Sequence, residues 1–409
     1  MKYFVSHPEG PRIQSLDLKD NNAEYIGIVD SVVAEVDDDE VRGLIAKGYN
    51  VVPEERYFIP PLPVDNRVRA AGVFPAPELD PATAGSMQQM VVSGVEELIS
   101  KGYTGKGVRI GIADTGVDAS HPDLVDNFES FKDFVDKNNT TPIDDFGHGS
   151  ACASIMLGKG IKVAKFHGVA PDAKFLMARV LGSDGSGYEA DIVKGVDWLV
   201  QQKVDIINLS LGSSTTAYTT FSKALDNAVA QGIAVFVAAG NDGPGKICAP
   251  ANALNAIAVA SCNYKGEHSY FSSRGPAVGS DNKDLAKPDI MAWGEDVALA
   301  KSSQGVMGDA INEFYIYASG TSFATPFMSG CGALLKAVKK DLTPADMKAL
   351  LMSTTYDRPV YEYNREGSGN VRMVAAMDKM NAGGTIPTPP PTTPTGCLSI
   401  FLGGFPLWR

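Results

Sequence analysis

Apolar residues in this chain fall into short continuous runs, separated by segments with the spacing of amphipathic helices. The runs are residues 108–113, 175–180, 206–209, 234–238 and 256–260. Because apolar residues follow one another in them without alternation, the runs indicate strands buried on both faces, as in parallel sheets. Residues 191–201 and 219–231 are predicted helices between them, and Gly232 is a C-terminal stop. The pattern predicts an α/β fold with a doubly wound parallel sheet and a ligand site at the strands' carboxyl ends.

A different pattern precedes this domain. Residues 23–36 are rich in Ile, Val and Tyr and predict two strands around a turn near Asp30. Residues 37–40 are all acidic, which suits the positive end of a short helix with an apolar face. Residues 50–57 then return as a strand. The sequence therefore predicts a small α+β domain over residues 1–60.

Two further segments complete the expected domain organisation. Residues 61–89 contain many prolines and alanines and are expected to form an extended, exposed connector. The main domain is expected over residues 90–382. Residues 383–409 combine a Pro/Thr linker with an apolar tail that is too short to fold alone.

Composition restricts the classes of partner. The net charge of the 409 residues is −12, which argues against a nucleic-acid partner because phosphate binding needs clustered Lys and Arg. No stretch is apolar and long enough to span a membrane. The N-terminus lacks the apolar run of a signal peptide, so we expect a cytoplasmic protein if the sequence is complete and a secreted one if its start has been trimmed. Of the five cysteines, four lie in apolar or small-residue surroundings and are expected to be buried free thiols.

The first candidate for chemistry is Ser322. It stands at the start of a predicted helix that continues to Leu335. Unpaired backbone N–H groups and the positive end of the helix dipole would lie near its hydroxyl, which suits a nucleophile whose attack generates an oxyanion. Alone, a Gly-Thr-Ser sequence is more often a turn followed by a capping serine.

Three other residues change that interpretation. Asp114 ends the first strand of the main domain, and His148 leads a run of small residues at a helix start. An aspartate, a histidine and a serine that meet in space form a hydrolytic triad, in which the serine attacks and the histidine transfers the proton. Asn241 follows another buried strand and is the candidate oxyanion donor, beside the backbone N–H of Ser322.

The four motifs together resemble a known family. They are Asp-Thr-Gly at 114, His-Gly-Ser at 148, Ala-Gly-Asn at 239 and Gly-Thr-Ser-Phe-Ala-Thr-Pro at 320, in that order. This set is similar to that of the subtilisin-like serine proteases, and the order of the triad residues is the one found in subtilisin. The resemblance implies a serine endopeptidase that hydrolyses peptide bonds of protein or peptide substrates through an acyl-enzyme intermediate.

The resemblance also implies substrate-binding residues. Those that line the primary specificity pocket or pair with the substrate as an added strand are Ser210, Leu211, Gly212, Gly185, Ser186, Gly187, Ala239 and Gly240. Cys248 is expected near the base of the specificity pocket, where it would favour small or medium apolar side chains. Glu189 is expected at a more distant subsite, where it would favour a basic residue.

The N-terminal domain resembles the inhibitory propeptide of this family, particularly at residues 29–36 and 51–56. A propeptide assists folding and then occupies the substrate cleft of its own chain until it is cut. We therefore expect a self-processing precursor that cleaves itself between about residues 60 and 90.

Calcium is a further expectation from the resemblance. The loop at 158–167 holds three lysines where many relatives bind calcium, although Asp123 matches one ligand of that site. A second loop looks like the calcium loop of the thermitase group, and its hard oxygen ligands would be Asp133, Asp136, Asn138 and Asp144. A solvated acidic loop is an equally good interpretation of those residues.

Cys152 resembles the thiol that one subgroup keeps beside the catalytic histidine. This resemblance predicts inhibition by mercurials, although a small core residue is the simpler interpretation of Cys152.

Two alternative functions stay open at this point. A peptide ligase or macrocyclase would use the same fold and triad but transfer the acyl group to an amine. A non-catalytic binding module would retain the fold without the reaction. The intact set of four motifs favours the endopeptidase over the binding module.

Overall fold

The computed structural model describes residues 1–8, 16, 18, 23–59, 85–356 and 363–383, with the side chains of 85–88 and 363 excepted. The expected connector lies outside these ranges up to residue 84, as does the expected tail from residue 384. The domain boundaries drawn from the sequence remain predictions.

A seven-stranded sheet, parallel throughout, forms the centre of the molecule. Its strands, in chain order, are β6 Arg109–Asp114, β7 Phe128–Asp133, β8 Lys174–Arg179, β10 Ile206–Leu209, β11 Ala234–Ala238, β12 Ile257–Cys262 and β15 Ile290–Trp293. The spatial order is β15-β12-β11-β10-β6-β8-β7. The doubly wound α/β class predicted from the apolar runs is confirmed.

Five of these strands coincide with the predicted apolar runs to within two residues. The edge strands β7 and β15 were not predicted. β7 is only partly buried, so it lacks a continuous apolar run. β15 has just four residues, Ile290–Trp293, all of them buried, and a run this short gives little signal in the sequence.

Helices cover both faces of the sheet. They are α2 Gly85–Val92, α3 Val95–Ser100, α4 His148–Leu157, α5 Glu189–Gln201, α6 Thr220–Ala230, α7 Thr321–Val338, α8 Pro344–Met352, α9 Tyr363–Glu366 and α10 Met373–Asn381. α7 packs against β10, β11, β12 and β15, and it is buried from Thr321 to Lys336. On the other face, α5 and α6 pack against each other. Side chains of successive residues, such as Ile206 and Ile207, therefore enter separate cores above and below the sheet.

The N-terminal part forms its own antiparallel sheet in the order β2-β3-β1-β4. Its elements are β1 Lys2–Ser6, β2 Glu24–Ile26, β3 Ser31–Glu35, the helix α1 Asp38–Ala46 and β4 Asn50–Pro53. The carboxylate of Asp37 accepts a hydrogen bond from the backbone N–H of Glu40, so the acidic start of α1 is a helix cap. A 3₁₀ turn at Gly27–Val29 precedes the expected turn at Asp30.

The single strand expected over residues 50–57 is wrong. It divides into β4 and β5 Arg56–Phe58, which belong to different sheets. The break falls at Glu54 and Glu55, because their polar groups contact the start of α5. Glu54 accepts a hydrogen bond from the N–H of Ala190, and the carbonyl of Glu55 accepts one from the N–H of Glu189.

The remaining strands are short. They are β9 Ser186–Tyr188, β13 Ala277–Val278, β14 Asp284–Leu285, β16 Val297–Ala300, β17 Asp309–Ala310 and β18 Tyr315–Ala318. β5 pairs with β9 in an antiparallel ladder. Within the described ranges, no helix has the length and apolarity needed to cross a membrane. Among the described residues, Cys152, Cys262 and Cys331 are buried and form no disulfide, as expected, whereas Cys248 is only partly buried.

Candidate active site

Asp114 and His148 form a buried pair at the carboxyl edge of the sheet. Asp114 ends β6, and its Oδ1 lies 2.8 Å from Nδ1 of His148. The backbone N–H of Thr115 donates a second hydrogen bond to the same oxygen. Both side chains are fully shielded from solvent. The structure thus brings together two of the residues that the sequence singled out 34 positions apart.

Small residues allow this close approach. Gly149 follows His148, and a Cβ at this position would lie 2.1 Å from the carbonyl oxygen of Gly116. Gly116 has a φ of +120°, and a Cβ there would lie 1.8 Å from the carbonyl oxygen of Ile143. Side chains at either glycine would push α4 away from the end of β6.

Burial and charge oppose each other at His148. Burial lowers the pKa of its imidazole, but the carboxylate of Asp114 and contacts with Cys152 outweigh that effect, and the pKa lies well above its ordinary value. A neighbouring negative charge stabilises an imidazolium in this way. The pair is therefore suited to accepting a proton on the ring.

Ser322 lies in the first turn of α7, as expected. Its carbonyl has no helical donor, because Pro326 four residues later lacks an N–H. The hydroxyl of Ser210 (2.9 Å) and the thiol of Cys152 (3.4 Å) donate to that carbonyl instead. Cys152 Sγ also lies 3.7 and 3.9 Å from the two ring nitrogens of His148. The Ser322 hydroxyl itself donates to the carbonyl of Ser210 at 3.2 Å.

Asn241 is held next to this helix start. Its Oδ1 accepts hydrogen bonds from the N–H and hydroxyl of Thr321, at 3.0 and 2.9 Å. Gly240 N–H donates to the same hydroxyl, and Ala239 N–H donates to Val259 in β12. Within the described part of the chain, Nδ2 of Asn241 is buried without a partner. A fixed, unpaired donor is what a developing negative charge on a substrate would need.

The residues expected to bind calcium do not form a common set. Asp144 is fully buried and accepts four hydrogen bonds, from the hydroxyl of Thr115, the N–H of Gly147 and both the N–H and hydroxyl of Ser150. All four groups donate, so the carboxylate acts only as an acceptor. Burial raises the pKa of Asp144, and these hydrogen bonds oppose the rise. Asp144 therefore caps α4, and the metal role expected for it remains a prediction.

An arginine occupies the acidic loop. Arg179 contacts Asp133 at 3.0 Å and Asp145 at 3.2 Å, and it also donates to the carbonyl of Thr115. Asp136 accepts a hydrogen bond from the N–H of Asn138 within a local turn. Asp133 is therefore paired with a cation of the protein itself, and the calcium role expected for Asp133, Asp136 and Asn138 remains a prediction.

The other calcium-related residue is also engaged by protein donors. Asp123 accepts hydrogen bonds from the N–H of Ile161 and from the hydroxyl of Tyr315, at 2.7 and 2.8 Å. Among the described residues, the one group of three or more His, Cys, Asp or Glu side chains close enough to hold a metal consists of Asp114, His148 and Cys152.

A strand from the N-terminal part runs through the expected substrate cleft. β5 pairs with β9, so Tyr57 lies opposite Gly187 and Phe58 opposite Ser186. On its other side, Phe58 exchanges two backbone hydrogen bonds with Gly212, at 2.9 and 3.1 Å. Ile59 N–H donates to the carbonyl of Gly185. β5 and Ile59 are therefore held by backbone hydrogen bonds from residues 185–188 on one side and from Gly212 on the other.

Glu189 and Cys248 are the two residues expected from the sequence to influence specificity. The carboxylate of Glu189 is buried and accepts hydrogen bonds from the N–H groups of Phe221 and Glu55. Cys248 precedes Ala249, whose carbonyl accepts a hydrogen bond from the N–H of Ser213. The preferences expected from Glu189 and Cys248 remain predictions.

Sequence reasoning missed the residues that support the site, namely Thr115, Arg179 and Pro326. Thr115 and Pro326 stand inside motifs already singled out, so their position next to a catalytic candidate was a usable signal. Arg179 offered a signal as well, because it is the one charged residue in the apolar run 175–180, and a buried cation needs an anionic partner.

Comparisons with known proteins identify the family of this chain. The sequence model of the subtilase family matches residues 105–376. Serine protease AprX of Bacillus subtilis (strain 168) is 34% identical over 320 residues, covering 72% of this chain and 70% of that protein. An alkaline protease of Alkalihalobacillus alcalophilus is 29% identical over 388 residues, covering 92% and 91%. Among solved structures, a cold adapted subtilisin-like serine proteinase matches with a TM-score of 0.55 and 29% identity, over 66% of this chain and 89% of that one.

Proposed function

This chain belongs to the subtilase family of serine endopeptidases, and from that premise we propose that Ser322, His148 and Asp114 form its catalytic triad. The observation that carries the proposal is the buried hydrogen bond between His148 and Asp114, 2.8 Å long, beside the helix start that bears Ser322. It gives the histidine one fixed orientation and a raised affinity for a proton.

The reaction follows from these positions. The Ser322 hydroxyl turns from the carbonyl of Ser210 to the free ring nitrogen of His148, gives up its proton there and attacks the substrate carbonyl carbon. Asp114 keeps the other ring nitrogen protonated and stabilises the imidazolium. Nδ2 of Asn241 and the backbone N–H of Ser322 donate to the oxyanion.

Breakdown of the tetrahedral intermediate breaks the peptide C–N bond. The leaving amine takes the proton from His148 and departs, and the acyl group remains on Ser322. Water then repeats the sequence, giving its proton to His148 and releasing the acid.

We further propose that residues 1–60 are an inhibitory propeptide. The pairing of β5 with β9 and Gly212 supports this, because a substrate would use the same backbone groups. A second contact lies away from the cleft, where Ile28 N–H donates to Asp197 and its carbonyl accepts from Asn227. Self-cleavage is expected after residue 60, in the connector.

Covalent labelling tests the triad. A fluorophosphonate is expected to label Ser322 in the processed protein, and Ser322→Ala should abolish both labelling and loss of the N-terminal segment. Ser100→Ala, an exposed serine in α3, is the control and should behave as wild type. Labelling that survives Ser322→Ala, or N-terminal processing by the pure variant, would contradict the proposal.

The ligase alternative needs a separate measurement, because it shares the acyl-enzyme. The products of a test peptide should carry the mass of one added water if the enzyme hydrolyses. Joined or cyclised products of unchanged total mass would instead support transfer to an amine.

A further inference from the structure

The N-terminal strand in the cleft shows what kind of side chain the cleft accepts. Tyr57 in β5 is fully buried, although its neighbours Arg56 and Phe58 are not. Its ring packs edge-on against Phe221, with centroids 5.2 Å apart and an angle of 83° between the planes. The pocket around it is therefore shaped for an aromatic ring.

The inner end of this pocket is polar. Tyr57 Oη lies 2.8 Å from Oγ1 of Thr219, and the two hydroxyls form a hydrogen bond. Burial and the nearby charge of Glu189 raise the pKa of the Tyr57 phenol. The pocket therefore favours an uncharged hydroxyl that can donate and accept.

The hydroxyl of Thr219 is positioned by contacts of its own. It caps α6 by accepting a hydrogen bond from the N–H of Ser222, at 3.2 Å. The hydroxyl of Ser222 donates to Oδ1 of Asn252 at 2.6 Å, and the amide of Asn252 donates to two carbonyls in the loop before α6. These bonds do not involve Tyr57, so they can hold Thr219 in place when the pocket is empty.

The ladder also fixes the place of this pocket relative to the reaction. Phe58 lies opposite Gly212 in an antiparallel pair. In a bound peptide with the same register, the residue two positions C-terminal to the one at the place of Phe58 lies opposite Ser210. The carbonyl of Ser210 is 3.2 Å from the Ser322 hydroxyl. The peptide residue opposite Ser210 therefore presents its own carbonyl group to Ser322. The side chain in the pocket of Tyr57 then belongs to the fourth residue before the cut bond.

We propose that this pocket selects tyrosine over phenylalanine at the fourth position before the cut bond, through Thr219. The inference rests on the proposed function, since it assumes that substrates follow the path of β5. A phenylalanine fills the apolar part but cannot form the hydrogen bond to the Thr219 hydroxyl, which then keeps only its contact with Ser222. Sites that bind a substrate hydroxyl discriminate against analogues that lack it, and one neutral hydrogen bond corresponds to about tenfold.

The test uses the protein after removal of its N-terminal segment, with pairs of fluorogenic peptides that differ only by Tyr or Phe at this position. We expect kcat/KM to be about tenfold higher for the tyrosine peptide. The same exchange one residue closer to the cut bond, at the place of the partly exposed Phe58, should have less than a twofold effect.

Variants of Thr219 connect the preference to the pocket. Thr219→Val should bring the Tyr/Phe ratio close to one, whereas Thr219→Ser keeps both the helix cap and the hydroxyl and should retain it. In the intact chain, Tyr57→Phe should raise the initial rate on a small peptide, because the N-terminal strand binds less tightly.

The outcomes separate this inference from the proposed function. A wild-type ratio near one, with normal hydrolysis and labelling of Ser322, overturns the selection of tyrosine and leaves the endopeptidase intact. A tenfold ratio that persists in Thr219→Val overturns the role of Thr219. Absence of hydrolysis and of labelling would count against the proposed function.

Discussion

Replacing Asp144 by asparagine is expected to slow catalysis more than its effect on folding would suggest. Asp144 accepts hydrogen bonds from Thr115, which follows Asp114, and from Gly147, which precedes His148. The hydroxyl of Thr115 also accepts a hydrogen bond from the N–H of Gly149. One buried carboxylate therefore connects the backbone on both sides of the proposed aspartate–histidine pair.

The expected magnitudes follow from the donors. An asparagine retains one acceptor oxygen, and the hydroxyls of Thr115 and Ser150 can turn to accept from its amide. One backbone N–H is left facing the amide nitrogen, a loss of about 1–3 kcal/mol in folding free energy. A displacement of His148 by about 1 Å would reduce kcat by about 10²-fold, with little change in KM because no substrate contact is altered.

The assay measures kcat and KM on a peptide substrate, and the free energy of unfolding by urea. Asp145→Asn is the matched control, since Asp145 is partly exposed and contacts Arg179, which keeps its bond to Asp133. We expect the control to retain kcat within about twofold. Loss of stability in Asp144→Asn with kcat unchanged would refute a positioning role, and so would an equal loss of kcat in the control.

Three other expectations concern two groups of the site and one group of the N-terminal sheet. Asp114→Asn should lower kcat by about 10⁴-fold, the magnitude known for loss of this group in subtilisin. Activity needs neutral His148, and Asp114 raises the pKa of His148 above 6.5. The acid limb of the pH–rate profile should therefore lie above pH 6.5 in wild type and move to lower pH in the variant. A mercurial should inhibit the enzyme through Cys152, and Cys152→Ala should be resistant; full activity of wild type after stoichiometric mercury would exclude the effect. Burial raises the pKa of Glu24, but two lysines outweigh it and hold that pKa at about 2 against an ordinary 4.5. In a Ser322→Ala background, Glu24→Gln should therefore lower the unfolding midpoint in urea above pH 4.5, and the difference should disappear as the pH falls toward 2. A difference that persists at pH 2 would contradict the ion-pair explanation.

Much of the central sheet could be predicted from the sequence, because burial on both faces leaves an unbroken apolar run. The strand at residues 206–209 was predicted to the residue for this reason. β7 was not predicted, because a strand at the edge of the sheet exposes part of its surface and has no unbroken apolar run. The strand expected over 50–57 was divided, because its two halves pair with different partners and no local property of the residues reveals which partner is near.

The candidate site shows the same division. Asp114, His148, Asn241 and Ser322 were found from local signals, namely strand ends, helix starts and the small residues around them. The calcium role expected for the acidic loop stays a prediction, because closely spaced carboxylates look alike in a sequence, whether they bind a metal or a protein donor. Arg179 arrives at that loop from β8, more than 30 residues further along the chain, and only the fold brings it there.

The sequence by itself determined the parallel α/β class, the order of the motifs and the chemical type of each candidate residue, since these depend on local periodicity and on functional groups. The tertiary structure decided which groups meet. Asp144 caps a helix, Arg179 forms ion pairs with the acidic loop, and Tyr57 lies in a pocket next to Thr219. Such contacts join residues far apart in the chain, and they depend on the relative placement of whole strands and helices, which no short segment encodes.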